Sequence, residues 1–105
     1  MKYSLVLSTV PNSKLIIKKI VDGLLRKKVC ACINVLPHIE SHYWWKRKIE
    51  SSKEALLLIK TTRSKADAVT RALKALHPYE VPEIISLDIQ SGWLPYLDWI
   101  KHNVK

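Results

Sequence analysis

Glycine is nearly absent: two occur in 105 residues. That scarcity excludes a glycine-rich phosphate loop and long flexible linkers, and it requires a backbone built from regular elements with short connections. Cysteine is equally sparse. Cys30 and Cys32 stand two positions apart, a spacing poorly suited to bridging one another, so no disulfide framework is expected and a reducing compartment fits best. No apolar run approaches the ~18 residues that a membrane-spanning helix needs. The opening MKYSLVLSTVPN is short, serine-interrupted and followed by no small-residue cleavage site, so no secretory signal and a cytoplasmic location are expected. Acidic residues are few, nine against 18 Lys and Arg, which leaves a formal net charge of +9. Such a charge raises non-specific affinity for polyanions without establishing any of them as a partner.

What is present reads as one soluble domain over residues 1–105, with 48% apolar and 26% charged residues. Residues 3–10, YSLVLSTV, are apolar and β-branched, a strand halted by Pro11-Asn12. From Asn12 or Ser13 the period becomes helical, with Ile17, Ile20, Val21, Leu24 and Leu25 on one face. This helix closes on Arg26-Lys27-Lys28, cations that complement its negative end. Residues 30–36 form a second strand, broken at Pro37. HIESHYWW then continues extended, Lys46-Arg47-Lys48 turns the chain, and IESSKEALLLIKTT returns as a long third strand. Ser64 with Asp67 three residues on spells a capping box for a second helix, whose buried stripe is Val69, Ala72, Leu73 and Leu76. EIISLDIQ is a fourth strand. The tail GWLPYLDWIKHNV places Trp93, Leu94, Leu97 and Ile100 at helical spacing, with Pro95 near the helix start. Right-handed crossovers and a long hairpin give one economical solution: a ferredoxin-like α+β sandwich, βαββαβ, with both main helices on one face and an extra C-terminal helix.

The stretch LHPYEVPEI, residues 76–84, cannot be regular helix, because Pro78 and Pro82 lack donors and push His77 and Val81 toward extended geometry. It is a rigid connector that also gathers His77, Tyr79, Glu80 and Glu83. One imidazole and two carboxylates suit a borderline divalent ion; the alternative is that Tyr79 packs down and His77 bonds nearby backbone. Cys32, as thiolate, would attract soft Cu(I), or would serve as a small core residue. His38 and His42 lie roughly 13 Å apart if the strand is regular, too far to share an ion. Tyr43, Trp44 and Trp45 are consecutive on an alternating strand, so at least one ring faces away from the domain's own core, as at a partner surface.

Taken in order, ACINVLPHIESHYWWKRKIE, LLLIKT, LHPYEVPEIISLDI and PYLDWI resemble the CutA divalent-cation tolerance family end to end. The resemblance implies a ferredoxin-like fold assembled as a homotrimer, related in architecture to PII signalling proteins. It also implies a link to copper and other divalent cations, with no established enzymatic activity. Members associated with copper resemble one another in a cysteine near the end of the first strand, a histidine before HPY and a glutamate after the second proline; the matching positions here are Ser8, Leu76 and Glu83. The family's glycine between the hairpin lysines is replaced by Arg47.

The expected metal residues are therefore His77, Glu83 and Cys32. The expected ligand pocket or interface comprises Tyr43, Trp44, Trp45, Lys60, Tyr79 and Glu80. No catalytic residues are expected, since no nucleophile stands at a diagnostic spacing from a base. No organic cofactor is expected either. Nucleic acid is disfavoured, because the central strand EALLLIKT lacks the stacking aromatics of RNA-recognition sheets. The competing function is an assembly module whose basic and aromatic surface binds another macromolecule. The hairpin arms exceed the ~5–6 residues of a typical strand, so their distal half, SHYWWKRKIE, should overhang the domain and be covered by neighbouring subunits, enclosing Cys32, Lys60 and the HPYE link near a boundary.

Overall fold

The computed structural model describes residues 2–105. Strand β1 (Tyr3–Pro11) leads into helix α1 (Lys14–Arg26), whose N-terminus is capped by Ser13 Oγ accepting from the Ile16 amide at 3.4 Å. Strands β2 (Cys32–Trp45) and β3 (Lys48–Thr62) form the hairpin. A 3₁₀ turn (Arg63–Lys65) precedes α2 (Ala66–Leu76), followed by β4 (Ile84–Ile89) and α3 (Leu94–His102). The sheet order is β2-β3-β1-β4, with every neighbouring pair antiparallel. This is the connectivity of the βαββαβ sandwich, with the added terminal helix.

The strand period assigns the faces. Val6 and Val10 of β1 and Ala55, Leu57 and Ile59 of β3 pack with Ile20 and Leu24 of α1 and Val69 and Leu73 of α2. Both helices therefore lie on one face. The alternate residues Leu5, Leu7, Leu56, Leu58, Ile85 and Leu87 belong to the opposite face. Helix α3 reaches that face only at one end, where Leu94 and Leu97 come beside Tyr3 and Ile89. Of its expected stripe only Ile100 is fully enclosed, and Trp93 stays 76% exposed. Among the described residues, Ile85 and Leu87 of this face stay 47% exposed, while Leu5, Leu7, Leu56 and Leu58 are half-buried.

Three expectations need correction. The second strand begins at Cys32 rather than Cys30 and does not break at Pro37. Instead it passes through a bulge between Leu36 and Ile39, with His38 at φ 63 and its amide donating to Asn12 Oδ1 at 3.4 Å. A bulge absorbs a proline that a regular ladder would reject. Ser64 does not cap α2: the 3₁₀ turn interposes, the Ser64 hydroxyl meets Thr62 Oγ1 at 3.2 Å, and Lys65 stands at the cap with no side-chain bond. Leu25, placed on the apolar face of α1, is exposed.

The hairpin overhangs as expected. β1 pairs with β3 only from Glu54 to Thr62, so Lys48–Lys53 has β2 as its sole neighbour. Lys46 and Arg47 close the tip with φ of 49° and 68°, the double positive of a type I′ turn. A side chain in that region carries about 1 kcal/mol of strain relative to glycine. Arg47→Gly is thus expected to stabilise the protein by about 1 kcal/mol, seen as a higher midpoint in thermal melts. A lower midpoint would show that the arginine side chain, not its backbone, governs the turn.

A cleft between the hairpin and the helix-to-strand link

Helix α2 stops at Leu76 because Pro78 follows and turns His77 to extended geometry, φ −77° and ψ 135°. His77 is 9% exposed. Its Nε2 donates to the Thr9 carbonyl at 2.8 Å, and its Nδ1 accepts from the Tyr79 amide at 3.2 Å. The carbonyl can only accept, which assigns the proton to Nε2. Two residues on, the Tyr79 hydroxyl donates to Glu54 Oε2 at 2.7 Å, and the rings of His77 and Tyr79 lie 4.7 Å apart. The link is thereby tied to β1 through His77 and to β3 through Tyr79. Burial, reinforced by the Glu54 carboxylate, raises the Tyr79 pKa above its ordinary value near 10.0.

Beyond Tyr79 the chain forms one wall of a cleft of about 710 Å³, with Glu80, Val81, Pro82 and Glu83 along its rim. The distal part of β2, Ser41 to Trp45, also lines it, together with Thr9 and Glu54. Trp44 is 72% exposed. The five residues Tyr43, Trp44, Trp45, Tyr79 and Glu80 of the expected pocket are brought together here, and Glu83 joins them. Lys60 is not part of the cleft: it pairs with Cys32 six positions along β3 from Glu54, ~20 Å away at ~3.4 Å per residue. There its Nζ approaches Cys32 Sγ at 3.7 Å and bonds Asn34 Oδ1.

The expected metal residues are likewise divided. Glu83 is on the cleft rim and Cys32 is at the far end of the sheet. Both ring nitrogens of His77 are engaged within the fold, leaving no lone pair for an ion in this arrangement. Among the described residues no three His, Cys, Asp or Glu side chains converge as a ligand set, so the residues of one chain do not fit a divalent ion. Ser8 is fully buried with an unpartnered hydroxyl. Of the cysteines, Cys30 is sealed in the core, where burial, with the neighbouring Cys32 thiol second, pushes its pKa from 9.0 up to about 12. Cys32 is the half-buried one, and burial followed by that thiol raises the pKa of Tyr96 from α3.

Glu54 is the functional candidate absent from the sequence-based expectations. It shares strand parity with Leu56 and Leu58, so a carboxylate alternating in phase with leucines was a visible signal. Thr9, Ser41 and His42 were also absent.

The model of the CutA1 divalent ion tolerance protein family matches residues 4–103. Among individual proteins, CutA 1 of Oryza sativa is 45% identical over 97 residues, 92% of this chain and 54% of that protein. The CutA homolog of Xenopus laevis is 49% identical over 88% of this chain and 60% of its own length. The chain thus spans little more than half of these relatives, whereas it covers 94% of the divalent-cation tolerance protein CutA of Thermus thermophilus at 40% identity. The crystal structure of CutA1 from Oryza sativa superposes with a TM-score of 0.95 at 42% identity, over 100% of this chain and 95% of that one. That of the Thermus thermophilus protein does so with a TM-score of 0.92 at 39% identity, over 98% and 99%. With sequence, strand order and three-dimensional form in agreement over nearly its whole length, the chain belongs to the CutA1 divalent ion tolerance protein family.

Proposed function

We propose that the chain works, without enzymatic chemistry of its own, as a CutA-type homotrimer in the cytoplasm. It contributes to tolerance of divalent cations, copper foremost, or senses a small ligand, at clefts completed between subunits. The observation that carries this reading is the incomplete cleft: carboxylate and aromatic residues line an open space, and the described residues of one chain bring no full set of metal donors together. Glu83 from one subunit, with donors such as Cys32 from a neighbour, would supply oxygen and sulfur ligands for copper. The half-buried apolar sheet face and the overhanging hairpin supply surface for the assembly.

Two measurements on the same sample test it. Light scattering is expected to give three times 12.1 kDa, and calorimetry is expected to rank Cu²⁺ above Zn²⁺ and other divalent ions, with weaker binding after Glu83→Gln. A monomeric mass, or copper binding indifferent to Glu83→Gln, would remove the assembly or the site respectively. The alternative, an assembly module for a macromolecular partner, draws on the exposed Trp44 beside the cationic tip Lys46-Arg47-Lys48.

A further inference from the structure

The charge of the cleft runs against that of the chain. Three carboxylates, Glu54, Glu80 and Glu83, line it with no lysine or arginine, in a protein whose Lys and Arg outnumber Asp and Glu two to one, 18 to 9. Glu54 is 4% exposed. Its Oε2 accepts from Tyr79, its Oε1 has no hydrogen-bond partner among the described residues, and none of the ion pairs in the fold involves it. Glu54 is largely withdrawn from water and has no counter-charge here, and a cation bound in the cleft would supply one.

The rest of the lining selects among cations. Tyr43, Trp44, Trp45 and Tyr79 all line this space, and aromatic faces attract poorly hydrated organic cations. Trp45 already has such a contact inside the fold, with Lys46 Nζ 5.8 Å from its ring centroid. A volume of about 710 Å³ falls within the range of roughly 300–1,000 Å³ usual for small-molecule sites. A bare divalent ion would leave most of that volume and all four rings unused.

We propose that the cleft binds an organic cation, a primary ammonium carried on an aliphatic or aromatic body. Glu54 receives the ammonium, Glu80 and Glu83 supply negative potential at the rim, and the hairpin rings enclose the body. This deepens the small-ligand part of the function proposed above and rests on the cleft being a ligand site.

Phenethylamine and its uncharged analogue 2-phenylethanol test the proposal, titrated into the full chain and followed by NMR at the tryptophan indole N–H groups. The amine is expected to shift the Trp44 and Trp45 signals and not those of Trp93, and to bind about tenfold or more tighter than the alcohol. Glu54→Gln should remove about tenfold of the amine's affinity and leave the alcohol unchanged. Should Glu54→Gln fail to fold, Trp45→Leu provides the same comparison, with the amine losing more than the alcohol. Equal binding of amine and alcohol, or amine binding indifferent to the variant that folds, overturns the inference. A trimer that binds copper and ignores the amine overturns this inference alone. A monomer that ignores copper but binds the amine with the stated selectivity overturns the trimeric, copper-linked reading and supports the cation site.

Discussion

In the proposed homotrimer, Leu87→Asp is expected to reduce the particle from three chains to one while leaving each chain folded. Leu87 sits on β4, opposite Leu5 of β1, on the sheet face that neither α1 nor α2 covers, and is 47% exposed in the single chain. A charge at a half-exposed position of an isolated domain changes stability by roughly 0.5 kcal/mol or less. In an assembly that buries this face among Leu5, Leu7, Leu56 and Leu58, the same carboxylate would lose its hydration with no partner, at roughly several kcal/mol per copy. Symmetry repeats the loss at every copy of the interface. Leu15→Asp is the control. Leu15 is 80% exposed on α1, on the other side of the molecule, and its replacement should leave the mass unchanged. Sedimentation reads both outcomes, with circular dichroism confirming the fold. An unchanged mass for Leu87→Asp would show that the subunits associate elsewhere.

The second large effect falls on His77. Removing its ring by His77→Ala orphans the Thr9 carbonyl and the Tyr79 amide, and empties a buried volume beside Tyr79. An unsatisfied buried polar group costs about 1–3 kcal/mol, and the cavity adds to it, so a loss of about 2–4 kcal/mol is expected. Because the link loses its tie to β1, Tyr79 and the cleft rim should loosen with it. Urea unfolding measures the loss, and it should be equal with copper present and with a chelator in excess. A destabilisation seen only when copper is present would make His77 a ligand in the assembled protein and reverse its assignment as a tie.

The order of elements was legible in the sequence because its signals are local. Alternating apolar residues in YSLVLSTV, the helical period from Ile17 to Leu24 and the stop at Pro78 each follow from backbone geometry within a few residues. The overhang of the hairpin was legible from strand length alone, whereas the positive φ at Arg47, where the family has glycine, came only from the structure. Local signals also misled. Ser64 and Asp67 have the spacing of a capping box, yet Thr62 captures the serine hydroxyl at the end of β3. Pro37 reads as a strand end, yet Asn12, 26 positions away from His38 in the chain, pins a bulge that carries the strand through.

The candidate site divides along the same line. Sequence by itself determined which residues stand on the link and on the hairpin, since Pro78 and Pro82 exclude helix there and consecutive aromatics on a strand cannot all face one core. Tertiary structure alone decided that Glu54 joins the cleft and Lys60 does not. Both lie on one strand with the same parity, and only the register of β2 against β3, with the landing place of Tyr79, distinguishes six residues of strand as two separate sites. It decided as well that His77 is a tie rather than a free imidazole. A histidine's role depends on which acceptor meets its second nitrogen, and the Thr9 carbonyl comes from a strand 68 residues earlier in the chain. Hydrogen-bond partners at that separation are chosen by the packing of helices onto the sheet, which no local pattern encodes.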